Sequence, residues 1–149
     1  MTSSDPEVCT VVIDTNVVLD WLVFSEPAAL ALADAVAKQR CTWRASTEML
    51  DELRMVLNRP LAERWEPARK LALTTEIVRL VTPAPTARAP LAQHLVCRDA
   101  ADQMFIDLAL SCAPSWLITR DRALLALRRR AAARGVAVVT PEQWLRATA

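Results

Sequence analysis

The chain has 149 residues, a length that suits one domain with one hydrophobic core, and we expect residues 1–149 to form that domain. Hydrophobic residues make up 53% and charged residues 23%, which excludes a disordered chain, and a net charge of +1 favours no class of partner. The only glycine is Gly135, which excludes glycine-rich nucleotide-binding loops. Any phosphate chemistry would therefore depend on carboxylates, metals or helix N-termini.

The cysteines and the N-terminal segment indicate a cytoplasmic chain. None of the four cysteines forms a C-x-x-C pair and the only histidine is His94, so a zinc site is not expected. Each cysteine lies beside apolar or strand-like sequence, as buried free thiols do. The first ten residues lack the basic and apolar regions of a signal peptide, and no apolar run is long enough to span a bilayer. We therefore expect no membrane association and a reducing compartment.

Strands and helices are predicted to alternate along the first part of the chain. A short β-branched run ends at Asp14, as a buried strand does. Pro27 suits the first turn of a helix, and Ser46 or Thr47 can cap another. In chain order, we predict a strand at residues 8–13, helices at 17–24 and 27–39, a strand at Cys41–Ala45 and a helix at 48–57.

The same alternation continues to the end of the chain, where Gly135 suits the end of a helix. The predicted elements are a helix at residues 66–79, a strand at 78–82, a helix at 102–112, a strand at 116–119, a helix at 123–134, a strand at 136–140 and a closing helix from 141. Alternating strands and helices predict an α/β fold of three layers, α/β/α, with a central parallel sheet of four or five strands.

Four acidic residues follow predicted strands or lie on the helices after them. Asp14 ends the first strand and Asp121 follows a later one, whereas Asp102 begins a helix and Glu52 lies on a helix. Functional residues gather at the carboxyl ends of strands in such sheets, so these acids could share one crevice. A divalent cation would relieve the repulsion between clustered carboxylates, and Mg²⁺ prefers oxygen ligands. The alternative is that these residues are only helix caps or turn residues.

Four segments between about residue 8 and residue 125 resemble the motifs of PIN-domain nucleases, in the same order along the chain. They are VVIDTNVVLDWL, STEMLDELRMVL, CRDAADQMFIDLAL and APSWLITRDRALL. They are most similar to the toxin branch, the VapC-like type II toxin–antitoxin family. The resemblance implies Mg²⁺- or Mn²⁺-dependent endonucleolytic cleavage of RNA by a metal-activated water. It also implies an antitoxin partner and a homodimer.

The resemblance further assigns a role to each acid. Asp14 would be the central metal ligand, and Asp102 and Asp121 would complete the site. Glu52 would bind the metal directly or through water, or help to activate the attacking water. The residues that would orient these ligands by hydrogen bonds are Asn16, Ser46 and Thr119.

Several neighbouring residues remain alternatives or have two interpretations. Glu48 lies one helical turn before Glu52 and is its rival, and Asp99 is the rival of Asp102. Arg120 and Arg122 flank Asp121, where they would contact a phosphate or balance the charge of buried acids; many relatives carry glycine in place of Arg120. Asp107 is expected to be structural, and the acids expected to be solvated at the surface are Asp5, Asp20 and Asp34.

Two other functions are compatible with this sequence. One is a catalytically inactive PIN-like module that binds RNA or a protein, although the four acids argue against it. The other is a metal-dependent DNA nuclease or phosphatase, because a cluster of acids does not identify the phosphoester.

Overall fold

A five-stranded parallel sheet forms the centre of the fold in the computed structural model, which describes residues 9–85 and 94–149. The strands are β1 (Cys9–Ile13), β2 (Cys41–Ala45), β3 (Val81–Pro83), β4 (Ser115–Ile118) and β5 (Val136–Val139). Their order in the sheet is β3-β2-β1-β4-β5, and all neighbouring strands are parallel. The predicted parallel sheet is confirmed, with the larger of the two expected strand numbers.

Helices flank this sheet and give the three-layer α/β/α fold that the sequence predicted. The α-helices are α1 (Thr15–Leu22), α2 (Pro27–Ala37), α3 (Thr47–Leu57), α4 (Glu66–Thr74), α5 (Gln103–Ser111), α6 (Arg122–Leu125), α7 (Arg128–Ala132) and α8 (Pro141–Thr148). Short 3-10 helices lie at Glu63–Trp65, Ile77–Leu80 and Ala100–Asp102. Helix α5 packs against β1 and β4, α2 packs against β2, and α7 packs against β5.

The middle strand, β1, sets the position of the chain segments that follow it. Val11, Val12 and Ile13 are almost fully buried, as expected for a strand with neighbours on both sides and helices on both faces. The register pairs Ile13 with Ile118 of β4, so both strands end at the same edge of the sheet. Residues that follow β1 and β4 therefore meet there.

The region after α3 differs from the prediction of a helix at residues 66–79 and a strand at 78–82. Helix α4 ends at Thr74, because the backbone of Thr75 is extended; the hydroxyls of Thr74 and Thr75 donate to the carbonyl of Leu71 at 2.7 and 3.2 Å. A 3-10 helix at Ile77–Leu80 follows, and the strand is only three residues long. The predicted start of this strand was therefore wrong.

The helix predicted at residues 123–134 is divided into α6 and α7. The N–H of Leu127 donates to the carbonyl of Leu124 at 2.9 Å, a tight bond across three residues at the break. Leu124, Leu127 and Ala131 are buried on both sides of the break. Gly135 follows α7 with a φ of +83°, which a residue with a side chain rarely adopts, so its predicted role at a helix end is confirmed.

Among residues 9–85 and 94–149, no single helix has both the length and the apolar character needed to cross a membrane. Helices α1 and α2 satisfy these criteria only when taken together, and a bend of 94° separates them. Val17 of α1 and Leu32 of α2 are fully buried in the core.

Candidate active site

Asp14 and Asp121 are connected through the hydroxyl of Thr119. Asp14 directly follows β1, and Thr119 directly follows the neighbouring β4. The Oγ1 atom of Thr119 donates to Oδ2 of Asp14 at 2.7 Å and accepts a hydrogen bond from the N–H of Asp121 at 2.9 Å. Thr119 is fully buried, so water does not compete for these bonds. One hydroxyl thereby fixes both the Asp14 carboxylate and the turn that carries Asp121.

The Asp14 carboxyl group is buried, with an exposed fraction of 4%. Burial raises its pKa to about 6, and the charges of Asp121 and Glu52 act in the same direction. Hydrogen bonds from Thr119 and from the backbone N–H of Asn16 oppose this rise without cancelling it. Asn16 therefore contacts Asp14 through its backbone N–H. The residue itself is exposed. Such an environment favours either a proton or a cation at Asp14.

Three further carboxylates meet close to Asp14. Asp99, Asp102 and Asp121 each offer an oxygen atom, and these three oxygens lie within 4.8 Å of one another. Burial raises the pKa of Asp102 to about 7, and a hydrogen bond with Asp121 and the charge of Asp14 add to this rise. Asp99 is exposed and also caps the 3-10 helix by accepting from the N–H of Ala101 at 3.0 Å. The structure therefore brings Asp99 and its rival Asp102 into one cluster.

Gln103 fixes the segment that leads into this cluster. Its Oε1 atom accepts from the N–H of Cys97 at 2.7 Å, and its Nε2 atom donates to the carbonyl of Leu95 at 2.7 Å. The same nitrogen donates to Oδ1 of Asp107 at 2.9 Å. Asp107 is buried and supports Gln103, which agrees with the prediction that Asp107 is structural. The position of Asp102, directly before Gln103, is thus tied to α5.

Glu52 is fixed from the other side of the site by the first residue of α1. The hydroxyl of Thr15, the residue after Asp14, donates to Oε2 of Glu52. Helix α3 carries Glu52 and is capped by Ser46, whose Oγ atom accepts from the N–H of Met49 at 3.3 Å. Ser46 therefore positions Glu52 by capping the helix. Its hydrogen bond goes to the backbone and not to a candidate ligand.

Thr15 and Gln103 are supporting residues that the sequence motifs did not single out. Each directly follows a candidate ligand, Asp14 or Asp102, and that adjacency is the signal that could have identified them. Glu48, the rival of Glu52, is exposed one turn earlier on α3.

Arg120 forms ion pairs with two carboxylates on different helices. Its Nε atom lies 2.9 Å from Oδ2 of Asp20, and its Nη1 atom lies 2.6 and 2.9 Å from the two oxygens of Glu142. This arrangement favours charge balance over the predicted phosphate contact, although the balanced acids are not the candidate ligands. Asp20 has a side-chain exposure of 18%, so its prediction as a solvated acid was wrong. Arg122 is exposed beside Asp121.

Comparison with known proteins identifies the family. Residues 10–123 match the family model described as PIN domain, whereas no curated protein sequence matches the chain significantly. The crystal structure of FitAcB from Neisseria gonorrhoeae is similar, with a TM-score of 0.56 and 20% identity over 88% of this chain and 97% of that chain. For FitAB bound to an IR36 DNA fragment, the TM-score is 0.55 and the identity 18%, over 88% of this chain and 94% of that chain.

VapBC2 from Rickettsia felis, bound to a DNA fragment from its promoter, is also similar. Its TM-score is 0.54 and its identity 11%, over 87% of this chain and 96% of that chain. At such low identities, these structures establish a shared fold. The family model covers most of the sequence, and the chain therefore belongs to the PIN-domain family, a family of nucleases.

Proposed function

We propose that this chain is a metal-dependent endoribonuclease that acts as the toxin of a type II toxin–antitoxin pair. The observation that supports the proposal most directly is the cluster of Asp99, Asp102 and Asp121, which lies beside Asp14 at one edge of the sheet. Burial and mutual repulsion raise the pKa values of Asp14 and Asp102, which disfavours a site of ionised carboxylates without a cation. PIN nucleases generally use divalent metals.

The donor set fits Mg²⁺ or Mn²⁺, because carboxylate oxygens are the ligands that these hard cations prefer. Asp14, Asp102 and Asp121 would hold the cation, with Asp99 as a further carboxylate within the cluster. When bound, the cation would supply a water of lowered pKa and would stabilise negative charge on the phosphodiester.

The other side chains have positioning and proton-transfer roles in this proposal. Thr119 holds Oδ2 of Asp14 and the backbone of Asp121, so the two ligands keep a fixed relative orientation. Thr15 holds Oε2 of Glu52, which restricts the rotamers of that side chain. Glu52 would then accept a proton from the attacking water at its carboxylate or contact the metal.

The decisive experiment is cleavage of a mixed RNA panel by the wild-type protein and by Asp14→Asn, with Mg²⁺, Mn²⁺ or EDTA. Asp51→Asn is a matched control, because Asp51 is an exposed acid that pairs with Arg54 at 3.9 Å. We expect cutting that requires both the metal and Asp14 and that survives Asp51→Asn. Folded wild-type protein that binds Mn²⁺ but cuts no RNA would contradict the ribonuclease assignment.

Matched DNA and nucleotide substrates in the same assay test the alternative of a DNA nuclease or phosphatase. Cleavage of these substrates in preference to RNA would support it. Calorimetric titration with Mn²⁺ tests the inactive binding module. Absence of binding at millimolar concentrations would favour that module.

The toxin role adds a partner, an assembly and a compartment to the proposal. VapBC2, one of the structures similar to this chain, carries the name of the toxin branch that the motifs resemble. We expect a cognate antitoxin, encoded by a small open reading frame beside the gene, and a cytoplasmic homodimer. Co-expression should abolish RNA cleavage, and light scattering of the purified chain should give twice its 16.5 kDa mass. A monomer, or an active co-expressed complex, would contradict these expectations.

A further inference from the structure

Two cysteines lie side by side at the amino end of the sheet, opposite the edge that carries the acids. Cys9 is the first residue of β1 and Cys41 is the first residue of β2, and the two are direct partners in the parallel ladder. Neighbouring strands are about 4.8 Å apart, and disulfides join Cα atoms about 4.4–6.8 Å apart. Because each cysteine begins its strand, a small shift of either thiol would not disturb the rest of the ladder.

The two thiols interact with each other and with the adjoining backbone. Cys9 and Cys41 are register partners in the ladder, and each thiol shifts the pKa of the other. The Sγ atom of Cys9 also lies 3.7 Å from the carbonyl oxygen of Arg40, to which it donates. Residues in register on neighbouring strands project to the same face, which explains why these side chains meet.

Solvent reaches this pair from the amino edge of the sheet. Cys9 is half-buried and lines a surface cavity of about 390 Å³ together with Ser115 and Gly135. Cys41 is buried and lines a second cavity of about 380 Å³. A small reagent would therefore reach Cys9 before Cys41.

The electrostatics of the pair give the two thiols different reactivity. The interaction with Cys41 lowers the pKa of the Cys9 thiol, which favours the thiolate form of Cys9 over that of Cys41. The interaction with Cys9 and burial raise the pKa of Cys41, and the positive charge of Arg40 opposes this rise only in part. Arg40 is itself paired with Asp34 at 3.0 Å. In contrast, burial raises the pKa of Cys97.

We propose that Cys9 and Cys41 form a modification site that takes up a reversible intramolecular disulfide by exchange with a small disulfide such as oxidised glutathione. Cys9 attacks one sulfur of that reagent, so a Cys9–glutathione bond forms, the reagent's S–S bond breaks and one glutathione thiolate leaves. Cys41 then loses its proton to solvent and attacks the sulfur of Cys9, which expels the second glutathione thiolate. Two protein thiols are oxidised, and one glutathione disulfide is reduced to two thiols.

This site does not depend on the proposed nuclease function. The disulfide would join β1 and β2 at the end of the sheet remote from Asp14, which lies beyond the other end of β1. It would close a loop that contains α1 and α2, and it would therefore restrict the unfolded chain.

The test uses the reduced full-length protein incubated with oxidised glutathione near pH 7, followed by intact mass measurement and peptide mapping. We expect the mass to fall by two hydrogen atoms, a Cys9–Cys41 link in the peptide map, and recovery with dithiothreitol. Retained glutathione, a link between other cysteines, or no reaction would overturn the proposal.

Serine variants assign the roles of the two thiols. The control Cys97→Ser with Cys112→Ser should oxidise as the wild type does. Cys9→Ser should form no internal link, and Cys41→Ser should retain glutathione on Cys9. An internal link in Cys9→Ser would contradict the assigned pair. If Cys41→Ser does not fold, the peptide maps of the wild type and the control variant still decide the question.

Discussion

The hydroxyl of Thr119 donates a 2.7 Å hydrogen bond to the carboxylate of Asp14, although 105 positions separate the two residues in the chain. The bond joins the ends of β1 and β4, which are parallel neighbours in the sheet. Because the same hydroxyl also accepts from the N–H of Asp121, the geometry of two candidate ligands depends on one buried oxygen atom.

Replacing Thr119 with valine removes this oxygen while keeping the branched shape of the side chain. We expect Mn²⁺ affinity to fall by about 10- to 100-fold, since supporting hydrogen bonds orient metal ligands. The free energy of unfolding should fall by about 1–3 kcal/mol, because buried polar groups lose their partner. Calorimetric titration and denaturant unfolding measure the two effects. Thr119→Ser restores the hydroxyl and should recover most of the affinity; failure to do so would show that packing, and not the hydrogen bond, matters.

Glu52→Gln should reduce RNA cleavage by about 100-fold or more, as expected for loss of a general base or a metal contact. Glu48→Gln should leave the rate close to that of the wild type, because Glu48 lies one turn earlier on α3 and is exposed. Single-turnover rates at saturating Mg²⁺ compare the two variants. The opposite order would move the catalytic assignment by one helical turn.

Asp14→Asn should stabilise the protein in EDTA at pH 8 while preventing metal binding. In the folded state the pKa of Asp14 is raised from 3.8 to about 6, mainly by burial, so its ionisation costs stability as pH rises through this range. Ionisation of Asp14 lowers the free energy of unfolding by at most about 3 kcal/mol. This loss is complete above pH 6 and absent below pH 4.

Thermal unfolding of both proteins in EDTA between pH 4 and pH 8 measures this effect. The advantage of Asp14→Asn should grow with pH, and saturating Mn²⁺ should reverse it in favour of the wild type. A variant that is less stable than the wild type at pH 8 in EDTA would indicate that Asp14 has a structural role.

Glu142→Gln should lower stability at neutral pH by about 0.5–1 kcal/mol, the upper range for a partly exposed ion pair. Burial opposes the ionisation of Glu142, but hydrogen bonds from Arg120 and from the residue's own backbone outweigh it and lower its pKa. A depressed carboxyl pKa contributes stability above the unfolded value of 4.5, and this contribution disappears as pH falls through the lower folded value.

Denaturant unfolding at pH 7 and pH 3 measures the contribution of Glu142. The difference between wild type and variant should shrink at pH 3, and a double-mutant cycle with Arg120→Gln should isolate the pair. Glu76→Gln is the control, because Glu76 forms a more exposed pair with Arg79. An equal effect in both variants would exclude a special role for the Arg120 bridge.

The local sequence was sufficient to predict the sheet and most helices. β1 contains a β-branched apolar run, at residues 11–13, that is buried, and Gly135 marks a helix end because its φ is positive. Prediction from local sequence failed at Thr74 and Thr75, where the chain becomes extended and α4 ends earlier than the apolar spacing predicts. The prediction also failed at Leu127, where a tight bond from its N–H to the carbonyl of Leu124 marks the division of one predicted helix into two.

The sequence by itself determined which acids follow the strands, because the alternation of apolar strands and helices forces Asp14 and Asp121 to the carboxyl edge of a parallel sheet. Only the tertiary structure decided their partners. Thr15 reaches Glu52 across 37 positions, and Arg120 binds Glu142 on the last helix. Such contacts depend on the packing of helices that are distant in sequence, and neither periodicity nor motif spacing carries that information.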